Sequence, residues 1–354
     1  MATSPGTPRT PTSPGTPRTP GTMVPASELL PDVLPTDRLR KNGIARPEVR
    51  AELRRIPNAR NVLTVIGALA QSAGVVIWAG WTGTWWSYLI AFLVMGRGHC
   101  QINILGHEAA HKLLFTNRFA NDATGRWLMA YPGLQGMLSY RRVHLAHHRD
   151  EMGPEEPDFG LYEVYPVSPD SLRRKLTRDL LFVSGYKNLR GLGKAARKGD
   201  AGGREARQVV AVQLVLFAAA VAWGKPLLYP VCWLAPWMSV WKVSNRLRAI
   251  AEHGGMTRSD DRRETTHVIR QSRLARFLIV PYNTGWHLAH HVDIAVPFRH
   301  LPRFHEELVR SGWLVPEIEY PSYLALWRKL SSGERRPRAS RQERVEATSS
   351  FIPA

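Results

Sequence analysis

The chain has 354 residues, a formal charge of +19 and two cysteines, Cys100 and Cys232. So few cysteines exclude a disulfide framework and any four-cysteine zinc or iron–sulfur site within one chain. Its 44% hydrophobic content is ordinary, but the apolar residues gather in two uncharged blocks and the 48 Lys and Arg lie almost wholly outside them, so the placement of charge has to identify the partner.

A nine-residue repeat, Thr-Ser-Pro-Gly-Thr-Pro-Arg-Thr-Pro, starts at Thr3 and again at Thr12. Proline, glycine and small polar residues at this density bury too little apolar surface to offset chain entropy. No apolar stretch of a secretory signal occurs here. Residues 1–40 are therefore expected to be a disordered tail, 41–330 the folded domain, and 331–354 a second disordered tail, polar and basic.

Asn61 to Gly96 is 36 residues without a charge. A single membrane helix needs about 20 apolar residues, so this length predicts a helical hairpin, with Gly80-Trp81-Thr82-Gly83-Thr84 as its turn and Trp78, Trp81, Trp85 and Trp86 as interfacial aromatics. The second block, Gln208 to Trp241, is interrupted by Gly224-Lys225-Pro226 and predicts a second hairpin. The alternative is two buried hairpins of a soluble helical core. Both turns are nearly free of Lys and Arg, so the positive-inside rule puts both termini and all large loops in the cytoplasm. Between the hairpins, Arg173 to Arg207 holds eleven Lys or Arg against three acids. Interleaved with leucines beside a membrane, it predicts an interfacial basic helix on anionic headgroups and not a nucleic-acid surface. Gly191-Leu-Gly193-Lys-Ala-Ala196 fits a loose dinucleotide pattern, but no strand precedes it.

Eight of the thirteen histidines fall into three boxes: His107-Glu-Ala-Ala-His111, His144-Leu-Ala-His147-His148 and His287-Leu-Ala-His290-His291. Residues i, i+3 and i+4 share one helix face, so each of the latter boxes presents three imidazoles to one point. Neutral imidazoles suit borderline metals such as Zn, Cu, Fe and Ni, and eight or nine of them exceed what one ion holds, which makes two metals the economical count. His253 is the ninth candidate. A helix from Leu227 reaches it after about 39 Å, and one from Trp85 reaches His107 after about 33 Å, so both clear a hydrocarbon core of about 30 Å. His99 and Asn103 precede His107 at helical spacing and are candidates for orienting the ligands, lining a channel or bonding between helices. His267, His300 and His305 stand outside the boxes and read as ordinary histidines.

His107-Glu108-Ala-Ala-His111 also fits the zinc metalloprotease signature, with Glu108 as base. That rival, a membrane zinc metalloprotease, accounts for two histidines and leaves seven unexplained. A metal-binding membrane protein without catalysis is a further alternative.

Three boxes, their loop positions and a four-span pattern, over roughly Val62 to Glu307, resemble the membrane fatty acid desaturase and hydroxylase superfamily. The fold that follows is an all-α integral membrane protein: four transmembrane helices as two hairpins, interfacial helices and a cytoplasmic histidine-rich di-metal cap. The resemblance implies two iron ions held by His107, His111, His144, His147, His148, His287, His290 and His291, with His253 completing the site, and it implies that Asn283 supports the third box. It further implies an oxidoreductase that reduces dioxygen with two external electrons and removes hydrogen from an unactivated C–H bond. A fatty acyl desaturase acting on a lipid or thioester is the leading expectation, and a carotenoid hydroxylase or ketolase the alternative. Glu108, Asp150, Asp158, Glu252 and Asp293 are candidate partners for the ligand imidazoles. Five acids between Asp150 and Asp158 either order the second box or form a wet loop. With no flavin, nicotinamide or iron–sulfur motif, electrons are expected from another protein, an acidic ferredoxin or cytochrome b5 suiting the basic face.

Overall fold

The computed structural model describes residues 22–31, 36–153 and 156–334. The repeat near the N-terminus and the tail beyond 334 lie outside the described residues. Packing begins earlier than the expected boundary at 41. Met23 and Leu39 are buried, the Met23 N–H donates to the Gly255 carbonyl at 3.0 Å, and Arg38 pairs with Glu307 at 2.7 Å.

Helix α1 (Pro47–Leu53) opens on a proline, whose missing N–H is harmless at that position. Helices α2 (Asn58–Thr82) and α3 (Trp85–Ala110) form the first hairpin. The turn is shorter than expected, because helix continues through Gly80 and Trp81 and only Gly83, at φ +66°, takes the left-handed conformation that stops it. From Gly98 to Ala110 every residue of α3 but Asn103 is buried, so this half runs through the protein while Leu89, Ile90 and Leu93 stay exposed as a lipid-facing surface would. Helix α4 (Arg118–Ala123) is capped by the Asn117 side chain accepting from the Ala120 N–H. It passes through a π-helical turn, Thr124–Ala130, to α5 (Met137–Arg149), which carries the second box.

The basic segment is not one helix. Phe182, at φ +65°, separates α6 (Pro169–Leu180) from α7 (Val183–Ala196), and its last residues already belong to α8 (Ala201–Ala222). The dinucleotide-like glycines sit inside α7 with no strand before them among the described residues. The return from α8 is also broken. Pro230 and Pro236 each lack a helical N–H, and the chain forms a π-helical turn (Pro230–Leu234), a short α9 (Ala235–Met238), a kink at Ser239 and then α10 (Val240–His253). One straight helix from Leu227 to His253 is therefore replaced by segments. Among the described residues, three helical stretches, 47–82, 85–110 and 201–222, are long and apolar enough to cross a membrane.

The remaining chain caps one end of this bundle with α11 (Arg262–Thr265), α12 (Arg273–Leu278), α13 (His287–Val292), α14 (Leu301–Arg310) and α15 (Tyr323–Leu330), with strand β1 (Val268–Ile269) pairing in parallel with β2 (Glu319–Tyr320). Leu301, Phe304 and Leu308 of α14 are buried with Leu288 and Val292 of α13 in the main core. Each such side chain contributes about 1.5–3 kcal/mol, which holds the third box against α3.

Candidate metal centre

The nine histidines arrive from α3, α5, α10 and α13 and converge in two adjacent groups. His107, His111, His144, His148 and His290 form one; His147, His253, His287 and His291 form the other. Within each group the ligand atoms lie within 4.8 Å of one another. The two HxxHH boxes do not each present three imidazoles to one point as expected: on α5, His144 and His148, one turn apart, stay together while His147 points to the second group, and on α13 His287 and His291 lie together with His290 turned to the first. Every box histidine and His253 is buried except His111 and His287, which are partly so.

The Nε2 atoms nearly touch. Successive distances are 2.9 Å for His111 to His144, 3.0 Å for His144 to His148 and 3.1 Å for His148 to His290. In the second group they are 3.2 Å for His253 to His287 and 2.9 Å for His287 to His291. A neutral imidazole nitrogen either donates or accepts once, so hydrogen bonding satisfies at most two of the three contacts in the first string. Metal ligands fit better, because nitrogens at about 2.1 Å from one ion and at right angles lie about 3.0 Å apart. Burial, reinforced by neighbouring imidazoles, holds His144, His148, His287, His290 and His291 well below the ordinary histidine range, and burial takes His111 down to about 3. The neutral form required of a ligand is the stable one here.

The second group is oriented from behind. The Nδ1 of His291 pairs with Glu151, that of His147 with Glu156, and that of His253 with the Thr265 carbonyl at 2.9 Å; His287 Nδ1 lies 3.5 Å from Glu252 Oε1. These partners leave the Nε2 atoms facing one another. Burial lowers His147 most, but the bond to Glu156 together with the charges of Glu156, Glu151 and Asp158 makes the net shift upward. Burial also pushes Glu151 up to about 7, against the pull of Arg262 at 2.9 Å. In the first group Tyr140 stacks on His144 at 5.1 Å, and the Nδ1 atoms of His107 and His148 are buried without a partner.

The other candidates fall elsewhere. Asp293 caps the end of α13 and turns outward to Arg50 at 2.8 Å and Arg54 at 2.6 Å. Asn283 accepts from Arg276 at 2.9 Å. Asn103 donates to the His99 carbonyl one turn back, while His99 Nε2 meets the Trp233 carbonyl at 2.8 Å, in the π-helical turn that leaves such groups free. Glu108 accepts from the Phe298 N–H at 3.1 Å, and the protease reading leaves seven of the nine converging histidines without a part. Asp150 pairs with Arg258. Of the acids named in advance, Glu252 alone backs a box histidine by direct contact. Glu151 and Glu156 were not singled out, although the run of acids after the second box was their signal; Thr265 left none, since its backbone carbonyl is what matters.

A mostly helical chain that buries nine imidazoles beneath three apolar helices defines a membrane protein with a site able to hold two metal ions. It belongs to the fatty acid desaturase family, whose model matches residues 83–323. It is similar to a dihydrorhizobitoxine desaturase of Bradyrhizobium elkanii, with 27% identity covering 61% of this chain and 66% of the relative.

Proposed function

We propose that the chain is a dioxygen-dependent di-iron desaturase that converts a –CH2–CH2– unit of an acyl-type chain into –CH=CH–. The observation that carries this reading is the pair of five- and four-histidine groups. One dioxygen, two electrons and two protons, together with the two hydrogens removed, leave as two waters. Bound iron would supply the dioxygen reduction; the nine histidines would hold it, and Glu151, Glu156, Glu252 and the Thr265 carbonyl would fix the imidazoles that bind one of the ions. A cavity of about 680 Å³, lined by His107, His144, His253 and His290, gives a substrate access to both groups.

The fourth apolar segment, from Leu228 through α9 into α10, is read as the second arm of the second hairpin, crossing despite its breaks. Loop charge then places both termini and the metal site in the cytoplasm, where the basic face suits an acidic ferredoxin or cytochrome b5 as electron donor. A bilayer on the exposed faces of α2, α3 and α8 would present the substrate. The relative's printed activity is a desaturation, which favours this outcome over carotenoid hydroxylation. Expression in a host containing saturated acyl compounds and carotenoids tests it by mass analysis of each pool, with metal content measured on the purified chain. A new unsaturation that disappears in His144→Ala, with about two irons per chain, is the expected result. One zinc per chain, or an altered carotenoid beside unchanged acyl compounds, refutes it.

A further inference from the structure

Away from the histidines, the cavity wall carries charged and polar side chains among its apolar ones. Trp241, Asn245, Arg248 and Glu252 follow one another at spacings of four, three and four along one face of α10, and all line the cavity. Three cations stand on this wall, and their partners differ. Arg246 meets both oxygens of the buried Asp179. Arg248 lies 3.3 Å from Glu252. Lys242 makes no ion pair among the described residues. Its Nζ lies 4.2 Å and 4.1 Å from the ring centres of Trp237 and Trp241, whose rings stack 5.6 Å apart. Of the other acids of the wall, Glu108 accepts from the Phe298 N–H, and Asp158 stands near enough to His147 to act on it electrostatically, its carboxylate making no ion pair among the described residues. A second donor is also unmatched. Trp237 lines the cavity, is 4% exposed, and buries its indole N–H without an acceptor among the described residues, an arrangement that is unfavourable until an acceptor arrives.

We propose that Lys242 and Trp237 bind the carboxylate of the substrate inside the cavity, so that the substrate is a free carboxylic acid whose aliphatic segment reaches the histidines, and not a phospholipid or thioester. With Arg246 and Arg248 each beside a carboxylate, Lys242 is the wall cation without an ion pair among the described residues, and a single carboxylate suits it. An ammonium and an indole N–H supply the charge-assisted and neutral hydrogen bonds that a carboxylate accepts. Lys242 precedes His253 by eleven residues of α10, about 16.5 Å along the axis, so the reacting carbons stand many bonds from the carboxylate. This assignment rests on the desaturase reading for its chemistry but not for its binding.

The test uses the full chain, iron-loaded, in nanodiscs, with empty nanodiscs as blank. Binding of decanoate, 1-decanol and decyl phosphate is compared by equilibrium dialysis, and iron content and dioxygen uptake are recorded on the same preparations. Decanoate is expected to bind about tenfold or more tighter than decanol, with the preference lost in Lys242→Met, kept in Lys242→Arg and reduced in Trp237→Phe. Equal binding of acid and alcohol to the unaltered chain overturns the assignment and needs no variant. So does tighter binding of decyl phosphate, or a preference that survives Lys242→Met. Preference for decanoate in a chain without iron or dioxygen uptake would defeat the desaturase reading and leave this site standing.

Discussion

Two acids close to the histidine boxes give opposite expectations, and the contrast tests the architecture of the centre. Glu151 is buried and joins three groups: His291 Nδ1, the Thr265 hydroxyl and Arg262 at 2.9 Å. Replacing it by alanine removes the acceptor that orients His291 and leaves Arg262 without that partner. Losing such a support lowers metal affinity about 10- to 100-fold, equivalent to about 1.4–2.7 kcal/mol. Asp293, two residues beyond His291, instead holds α1 through Arg50 and Arg54, whose side chains are about one-third exposed. Asp293→Ala is expected to cost about 1–3 kcal/mol of stability, between the ranges for surface and buried pairs, with metal affinity nearly unchanged. Competition against a graded chelator, read by metal analysis, gives the first quantity, and thermal melting in nanodiscs gives the second. Equal metal loss in the two variants would refute the claim that orientation by Glu151, and not general integrity of α13, sets affinity.

Gly96 lets α3 approach α10 closely, since a Cβ there would lie 2.2 Å from Val240 Cγ1, whereas Gly67 meets nothing within 4 Å. Gly96→Ala should destabilise by about 1–3 kcal/mol and Gly67→Ala should stabilise by about 0.5–1 kcal/mol, both read as shifts in melting temperature; equal shifts would contradict the packing. The hydrogen bond from Arg38 holds Glu307 below the usual carboxylate range. A depressed carboxyl contributes stability that is fully present above its unfolded value of about 4.3 and is lost as pH falls through the folded value. Arg38→Ala should therefore narrow the gap in melting temperature between pH 7 and pH 3, and an unchanged gap would remove the pair from acid stability. Stripping metal leaves close-packed imidazoles without a ligand partner, so hydrogen exchange in α13 and the end of α10 should rise on chelation and fall on readdition of iron. Exchange that ignores the metal would argue against ligation by these helices.

The first helical hairpin and the eight boxed histidines were legible in the chain itself. A 36-residue uncharged stretch has few structural outcomes, and i, i+3, i+4 spacing places imidazoles on shared helix faces whatever surrounds them. His253 was legible more weakly, from its position beyond the fourth apolar segment. The breaks at Phe182 and Ser239 were harder to see: one is a backbone conformation that phenylalanine rarely adopts, and the other follows from prolines whose effect depends on which neighbouring groups receive the freed carbonyls. Only the tertiary structure sorted the histidines into five and four, because that division depends on the angles at which α3, α5, α10 and α13 meet. It also decided which carboxylates serve the site. Glu151 and Asp293 are both acids near a box in sequence, and a turn of backbone at the end of α13 sends one toward arginines while the fold brings the other to His291 from the turn after α5. Sequence spacing determines what a helix face offers; packing between helices determines what that face meets.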